Sequence, residues 1–99
     1  MRLSDEQVQS IRKAALRVLG ADMRVSVFGS RALDQSKGGD IDLFFETQAT
    51  LANRAKTLCQ LHGALMLALG ERKIDIVLKD ANTPAAPIFE IARRTGILL

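Results

Sequence analysis

The sequence predicts an α/β (α+β) domain, with a small mixed β-sheet of about three strands packed with helices. Three observations carry this expectation. Three short runs rich in apolar and β-branched residues, 24–28, 40–45 and 73–78, read as strands. Longer stretches before, between and after them repeat their apolar residues at spacings of three and four, the mark of helices with one buried face. The whole is 99 residues with 47% hydrophobic and 25% charged content, which is enough for one core and too apolar for disorder. A single domain over residues 1–99 is therefore expected.

Ser4 with Gln7 three residues later forms the pattern of a capping box, and Val8, Ile11, Ala15, Leu16 and Leu19 follow at helical spacing to a stop at Gly20. The opposite face of this first helix carries Gln9, Arg12, Lys13 and Arg17, an ordinary solvated surface. Arg24 to Phe28 then reads as a buried strand that delivers its end to Gly29. Ser30 to Asp34 reads as a short helix, and residues 35–39 as a polar, glycine-rich turn. Asp40 to Phe45 reads as the second strand.

From about Thr50, the residues Leu51, Ala55, Leu58, Leu61 and Leu65 predict a long helix, weakened by Gly63 and stopped at Gly70. Because residues 64–69 are apolar on every side, the pattern places them between the sheet and another helix. Cys59, the only cysteine, has no partner for an internal disulfide and reads as a small buried side chain, while the only histidine, His62, reads as a surface or packing residue. In residues 73–78 alternation sets Ile74, Ile76 and Leu78 on one face and Asp75 with Val77 on the other, leaving Asp75 a charge among apolar neighbours. Thr83 and Pro84 read as the N-cap and first residue of a last helix with an apolar stripe of Ile88, Ile91 and Ala92, ended by Gly96.

The chemistry-bearing stretch is Phe28-Gly29-Ser30-Arg31, followed by Gly38-Gly39-Asp40-Ile41-Asp42-Leu43. In an extended strand Asp40 and Asp42 project to the same side. Two carboxylates in one patch repel, and a hard divalent cation such as Mg²⁺ relieves the repulsion by taking their oxygens as ligands. Gly29-Ser30 after an apolar strand offers a backbone without a Cβ and a free hydroxyl, suited to close approach of a phosphate. If the third strand lies beside the second, Asp75 joins Asp40 and Asp42 on one face.

Gly29-Ser30, nine intervening residues and Asp40-Ile41-Asp42, with the later Lys73-Ile74-Asp75-Ile76-Val77, resemble the signature of the DNA polymerase beta-like nucleotidyltransferase superfamily. Small size and the Gly-Ser-Arg-Ala opening most resemble its minimal nucleotidyltransferase (MNT) branch. The resemblance implies the superfamily's core fold and a catalytic set of Asp40, Asp42 and Asp75. Asp40 and Asp42 would ligate Mg²⁺, and Asp75 would be a further ligand or the general base. Gly29 and Ser30 would cradle the phosphates of ATP, with Arg31 or Lys37 neutralising charge. It also implies adenylyl transfer to a hydroxyl of a partner, such as the HEPN-domain protein of a toxin–antitoxin pair, in a homo- or hetero-oligomer. Gly39 departs from the Ser or Thr that many relatives carry before the first Asp.

Two other functions compete. A non-catalytic antitoxin would act by covering its partner and keep the carboxylates as a relic. Nucleic-acid binding would draw on the net charge of +3, but the basic residues are spread along the chain and Trp and Tyr, the best stacking residues, are absent. No stretch is long enough to span a membrane and residues 1–7 lack the apolar run of a signal peptide, so a cytoplasmic location is expected.

Overall fold

The computed structural model describes residues 3–28, 41–70 and 73–99. Its elements, in order, are α1 (Asp5–Leu19), β1 (Met23–Phe28), β2 (Ile41–Thr47), α2 (Arg54–Leu69), β3 (Ile74–Lys79), α3 (Pro87–Thr95) and β4 (Ile97–Leu98). The strands form one mixed sheet in the order β3-β2-β1-β4. β1 runs antiparallel to both of its neighbours, while β2 and β3 are parallel and joined by α2, the crossover that parallel neighbours require. The α/β expectation is met, with one strand more than the three that the sequence suggests. β4 was hidden because two residues after a helix carry no alternation to read. It is visible only through its pairing of Ile97 with Val27 and Leu98 with Ser26.

The period of two in each strand divides the protein into two layers of core. Val25, Val27, Ile41, Leu43, Phe45, Ile74 and Leu78 face α1 and α2, and meet Ile11, Ala15, Leu19, Leu61, Leu65 and Leu69 from those helices. On the other face, Phe28, Phe44 and the half-buried Val77 lie under Phe89 and Ala92 of α3. Phe44 and Phe89 stack with ring centroids 5.8 Å apart and planes inclined by 19°, a favourable offset of the two quadrupoles.

Local signals explain most element ends. The Ser4 hydroxyl accepts from the Gln7 N–H, and the Gln7 side chain accepts from the Ser4 N–H, so the capping box is complete. Gly20 and Gly70 end α1 and α2 at positive φ, 87° and 82°, where a side chain would be strained.

Four local expectations need correction. The second long helix starts at Arg54 rather than near Thr50, because the Asn53 side chain caps it by accepting from the Lys56 N–H. Its run 64–69 is not buried all round: Leu65 and Leu69 enter the core, whereas Met66 and Leu67 are 41% and 90% exposed. Among the described residues α1 and the sheet lie against this helix, and Met66 and Leu67 face away from both. Cys59 likewise is exposed rather than a buried filler. The last helix begins with Ala86 as N-cap and Pro87 as first residue, not with Thr83-Pro84.

Thr83 is engaged elsewhere. Its hydroxyl donates to Asp80 Oδ1 at 2.7 Å, and the other carboxylate oxygen of Asp80 accepts from the Leu51 N–H at 2.9 Å. Asp80, 5% exposed, thereby ties the end of β3 to the loop before α2.

Candidate active site

The face of the sheet under α3 is built of three rows set by strand register. Arg24, Glu46 and Lys79 form the row at one end, Ser26, Phe44 and Val77 the middle row, and Phe28, Asp42 and Asp75 the row at the other end. α3 covers the middle. Phe89 and Ala92 are buried there, and Arg93 reaches over the Phe44 ring to the Glu46 carboxylate, donating at 2.6 Å. That contact pushes the Arg93 pKa upward through its hydrogen bond to, and attraction by, Glu46. Lys79 lies 6.0 Å from the centroid of the Phe89 ring.

The opposite row holds the carboxylates. Asp42 and Asp75 are register partners across the parallel β2–β3 pair, so their Cα atoms stand about 4.8 Å apart and their side chains leave the same face. The register is fixed by the hydrophobic pattern. Sliding β3 by one residue would turn Ile74, Ile76 and Leu78 out of the core and take Asp75 off this face. Asp42 is half-buried and Asp75 exposed. The residues on either side of the segment between the first two strands, Phe28 and Ile41, sit at this same end of the sheet.

Of the residues singled out in the sequence, the fold therefore brings together Asp42 and Asp75. Gly29, Ser30, Arg31, Lys37 and Asp40, with the short helix expected at 30–34, lie outside the described residues. Among the described residues no three His, Cys, Asp or Glu side chains gather as a metal-ligand group. Two adjacent carboxylates on one face are hard oxygen donors of the kind Mg²⁺ takes, and in that respect the pair fits the ion.

A groove of about 460 Å³ opens beside Asp75, between α2 and β3. Its helix wall is made of Leu58, Cys59, His62 and Gly63, and its strand wall of Ile74, Asp75 and Ile76. Little in the local pattern announces it, since its walls come from two elements more than ten residues apart. One signal was present: Cys59 and Gly63 are four apart in a helix and leave a shallow wall. Asp80 was also missed as an organising residue, although Asp80 followed three residues later by Thr83 is a readable side-chain turn. Its carboxyl is held below the ordinary value of 3.8, first by the Thr83 hydroxyl and then by the Leu51 N–H.

No protein-family model and no curated protein matches the chain. Among solved structures, a chain in the crystal structure of a mutant of the toxin-antitoxin MntA-HpeT superposes with a TM-score of 0.64 at 24% identity. The superposition covers 93% of this chain and 69% of that one. What they share is the fold. It is a four-stranded mixed sheet packed with three helices. Among the described residues no helix is long and apolar enough to cross a membrane.

Proposed function

We propose that this chain is a Mg²⁺-dependent nucleotidyltransferase of the MNT type, which moves an adenylyl group from ATP to a hydroxyl of a partner protein, and that it serves as the antitoxin of a pair with a HEPN-domain protein. The observation that carries the reading is the pairing of Asp42 with Asp75, two carboxylates from separate strands held side by side at the end of the sheet to which Phe28 also comes. The likeness in fold to a chain of a toxin-antitoxin structure supports the biological setting.

Asp42, with Asp40 from outside the described residues, would hold Mg²⁺. The ion, when bound, offsets the charge of the triphosphate and of the departing pyrophosphate. Gly29, Ser30 and Arg31 are assigned to the phosphates. Asp75 is assigned the acceptor. Its exposed carboxylate takes the proton as the acceptor oxygen forms a bond to the α-phosphorus. The bond from the α-phosphorus to the α,β-bridging oxygen breaks, and pyrophosphate leaves with that electron pair.

The test is transfer of label from ATP marked on its α-phosphate to a HEPN-domain protein, with Mg²⁺, by wild type and by Asp42→Asn. Transfer that survives this substitution unchanged would sink the assignment. A second reading, a module that neutralises by covering its partner, draws support from the apolar Met66 and Leu67 on the outer face of α2. It expects full neutralisation by Asp42→Asn/Asp75→Asn, and loss of neutralisation in that variant excludes it.

A further inference from the structure

Among the described residues β3 is the edge of the sheet, and its outer side lies along the groove beside Asp75. The direction of its backbone groups follows from two contacts. The Lys73 carbonyl accepts from the Ile41 N–H at 2.9 Å, so Lys73 and every second residue after it turn their backbone groups toward β2. Ile74, Ile76 and Leu78 therefore turn theirs outward. At Leu78 the outward carbonyl is covered, accepting from the Arg54 guanidinium at the start of α2. Ile74 and Ile76 are not so covered among the described residues, and it is their portion of the strand that lines the groove. An uncovered strand edge beside an apolar trough matches one kind of ligand, an extended peptide that adds as a further strand.

We infer that the groove is the acceptor-binding site, and that the acceptor protein enters it as an extended segment hydrogen-bonded to Ile74 and Ile76. This deepens the nucleotidyltransferase reading and rests on it for the role of Asp75. The side-chain period of the added strand then sets its sequence. A residue beside Asp75 projects to the face that Asp42 and Asp75 share, while its two neighbours project into the trough against Leu58, Cys59 and Gly63. The acceptor is thus a hydroxyl residue flanked on both sides by apolar ones. Arg54 at Leu78 ends the pairing on one side and limits the register.

Gly63 bears on the same point. It lies in the middle of α2, where glycine weakens a helix, and a Cβ built on it meets nothing within 4 Å. No packing among the described residues calls for glycine there. Its wall position leaves the trough deep enough for an incoming apolar side chain.

The experiment is amide hydrogen exchange on the full chain, without nucleotide, in the presence of short blocked peptides carrying a central Val-Ser-Val triplet. Slowing of the Ile74 and Ile76 amides by at least about tenfold is expected, with less slowing when the serine is shifted by one place into the trough. Gly63→Leu, which fills the trough, should weaken peptide binding at least about tenfold, whereas Gly63→Ala, which relieves the helix of its glycine equally but fills less of the trough, should weaken it less and so separate blockage from any effect on the helix. Unchanged exchange at Ile74 and Ile76 overturns the inference. So do equal slowing by the shifted peptide, and protection that rises with protein concentration in the absence of peptide, which would assign the edge to a second copy. Labelled transfer to the serine peptide is scored separately. Protection without transfer upholds the docking and removes the enzymatic reading, while transfer indifferent to Gly63→Leu does the reverse.

Discussion

The same substitution, glycine to alanine, should have opposite effects at Gly63 and Gly96. At Gly63 the added methyl meets nothing within 4 Å, and the residue lies within α2. The change therefore acts through backbone entropy alone. Alanine is favoured over glycine in a helix interior by about 1 kcal/mol, which for a chain of this size raises Tm by about 4–8 °C. At Gly96 the backbone is at φ −82° and ψ 158°, open to any residue, so the cost there is steric. A Cβ would stand 2.4 Å from the Ala92 carbonyl oxygen and 3.3 Å from both Ser26 Cβ and the Val27 carbonyl oxygen. The two backbone oxygens cannot swing aside. Moreover, the Gly96 N–H donates to that Ala92 carbonyl at 2.8 Å, so relief of the clash stretches the bond that ends α3. Overpacking of this kind costs about 1–3 kcal/mol. Paired urea and thermal melts of the two variants against wild type measure both signs. If Gly96→Ala is neutral or stabilising, α3 does not lie as close to β1 as described. If Gly63→Ala is destabilising, the wall of the groove is packed by something other than solvent.

Other outcomes follow from the same geometry. Asp75→Asn removes a proton acceptor from an exposed position, so it should lower adenylyl transfer at least about a hundredfold while leaving the melting curve nearly unchanged; retention of transfer would assign the proton to another base. Phe89→Ala removes the ring that stacks on Phe44 and is 6% exposed, and should cost about 3–5 kcal/mol in chemical denaturation. A loss below about 1 kcal/mol would mean that α3 contributes little to the core. The Asp80 carboxyl has a folded pKa below its ordinary 3.8, so its contribution to stability is present above 3.8 and is lost as pH falls through the lower, folded value. Wild type and Asp80→Ala should thus differ in Tm near neutral pH and converge in strong acid, and a gap that persists there would assign the clasp to packing instead of charge.

Much of the fold could be read before any coordinates because local and long-range signals agree in it. The Ser4–Gln7 pair marks the start of α1, and the alternation in residues 41–47 and 74–79 assigns each strand residue to a layer. The face shared by Asp42 and Asp75 was legible for that reason: both are polar breaks in apolar strands, and parity within each strand puts them on the side away from Leu43 and Ile76. What was illegible depends on which element covers which. The apolar run 64–69 states that a helix is hydrophobic but not how much of it finds a partner, and Leu67 is left outside. Thr83-Pro84 is a sound helix-start signal on propensity alone, yet Asp80 captures the Thr83 hydroxyl and delays the helix to Pro87. β4 exists through pairing with residues some seventy positions earlier, which no local pattern encodes.

The brevity of β4 bears on how the protein survives fluctuation. β1, with the sequence Met23-Arg24-Val25-Ser26-Val27-Phe28, has two buried valines and a phenylalanine, the composition of a strand prone to pair with copies of itself. On one side it is sealed by the whole length of β2, but on the other it is shielded by the two residues of β4, the Leu99 N–H donating to Val25 at 2.9 Å and the Arg12 side chain holding the Leu99 carbonyl. So small a cover frays more readily than the sheet it protects. Each opening lays bare an apolar strand with unpaired backbone groups. Ile97, Leu98 and Leu99 thus shield β1, and variants that break their pairing should show first as a shortened shelf life in solution.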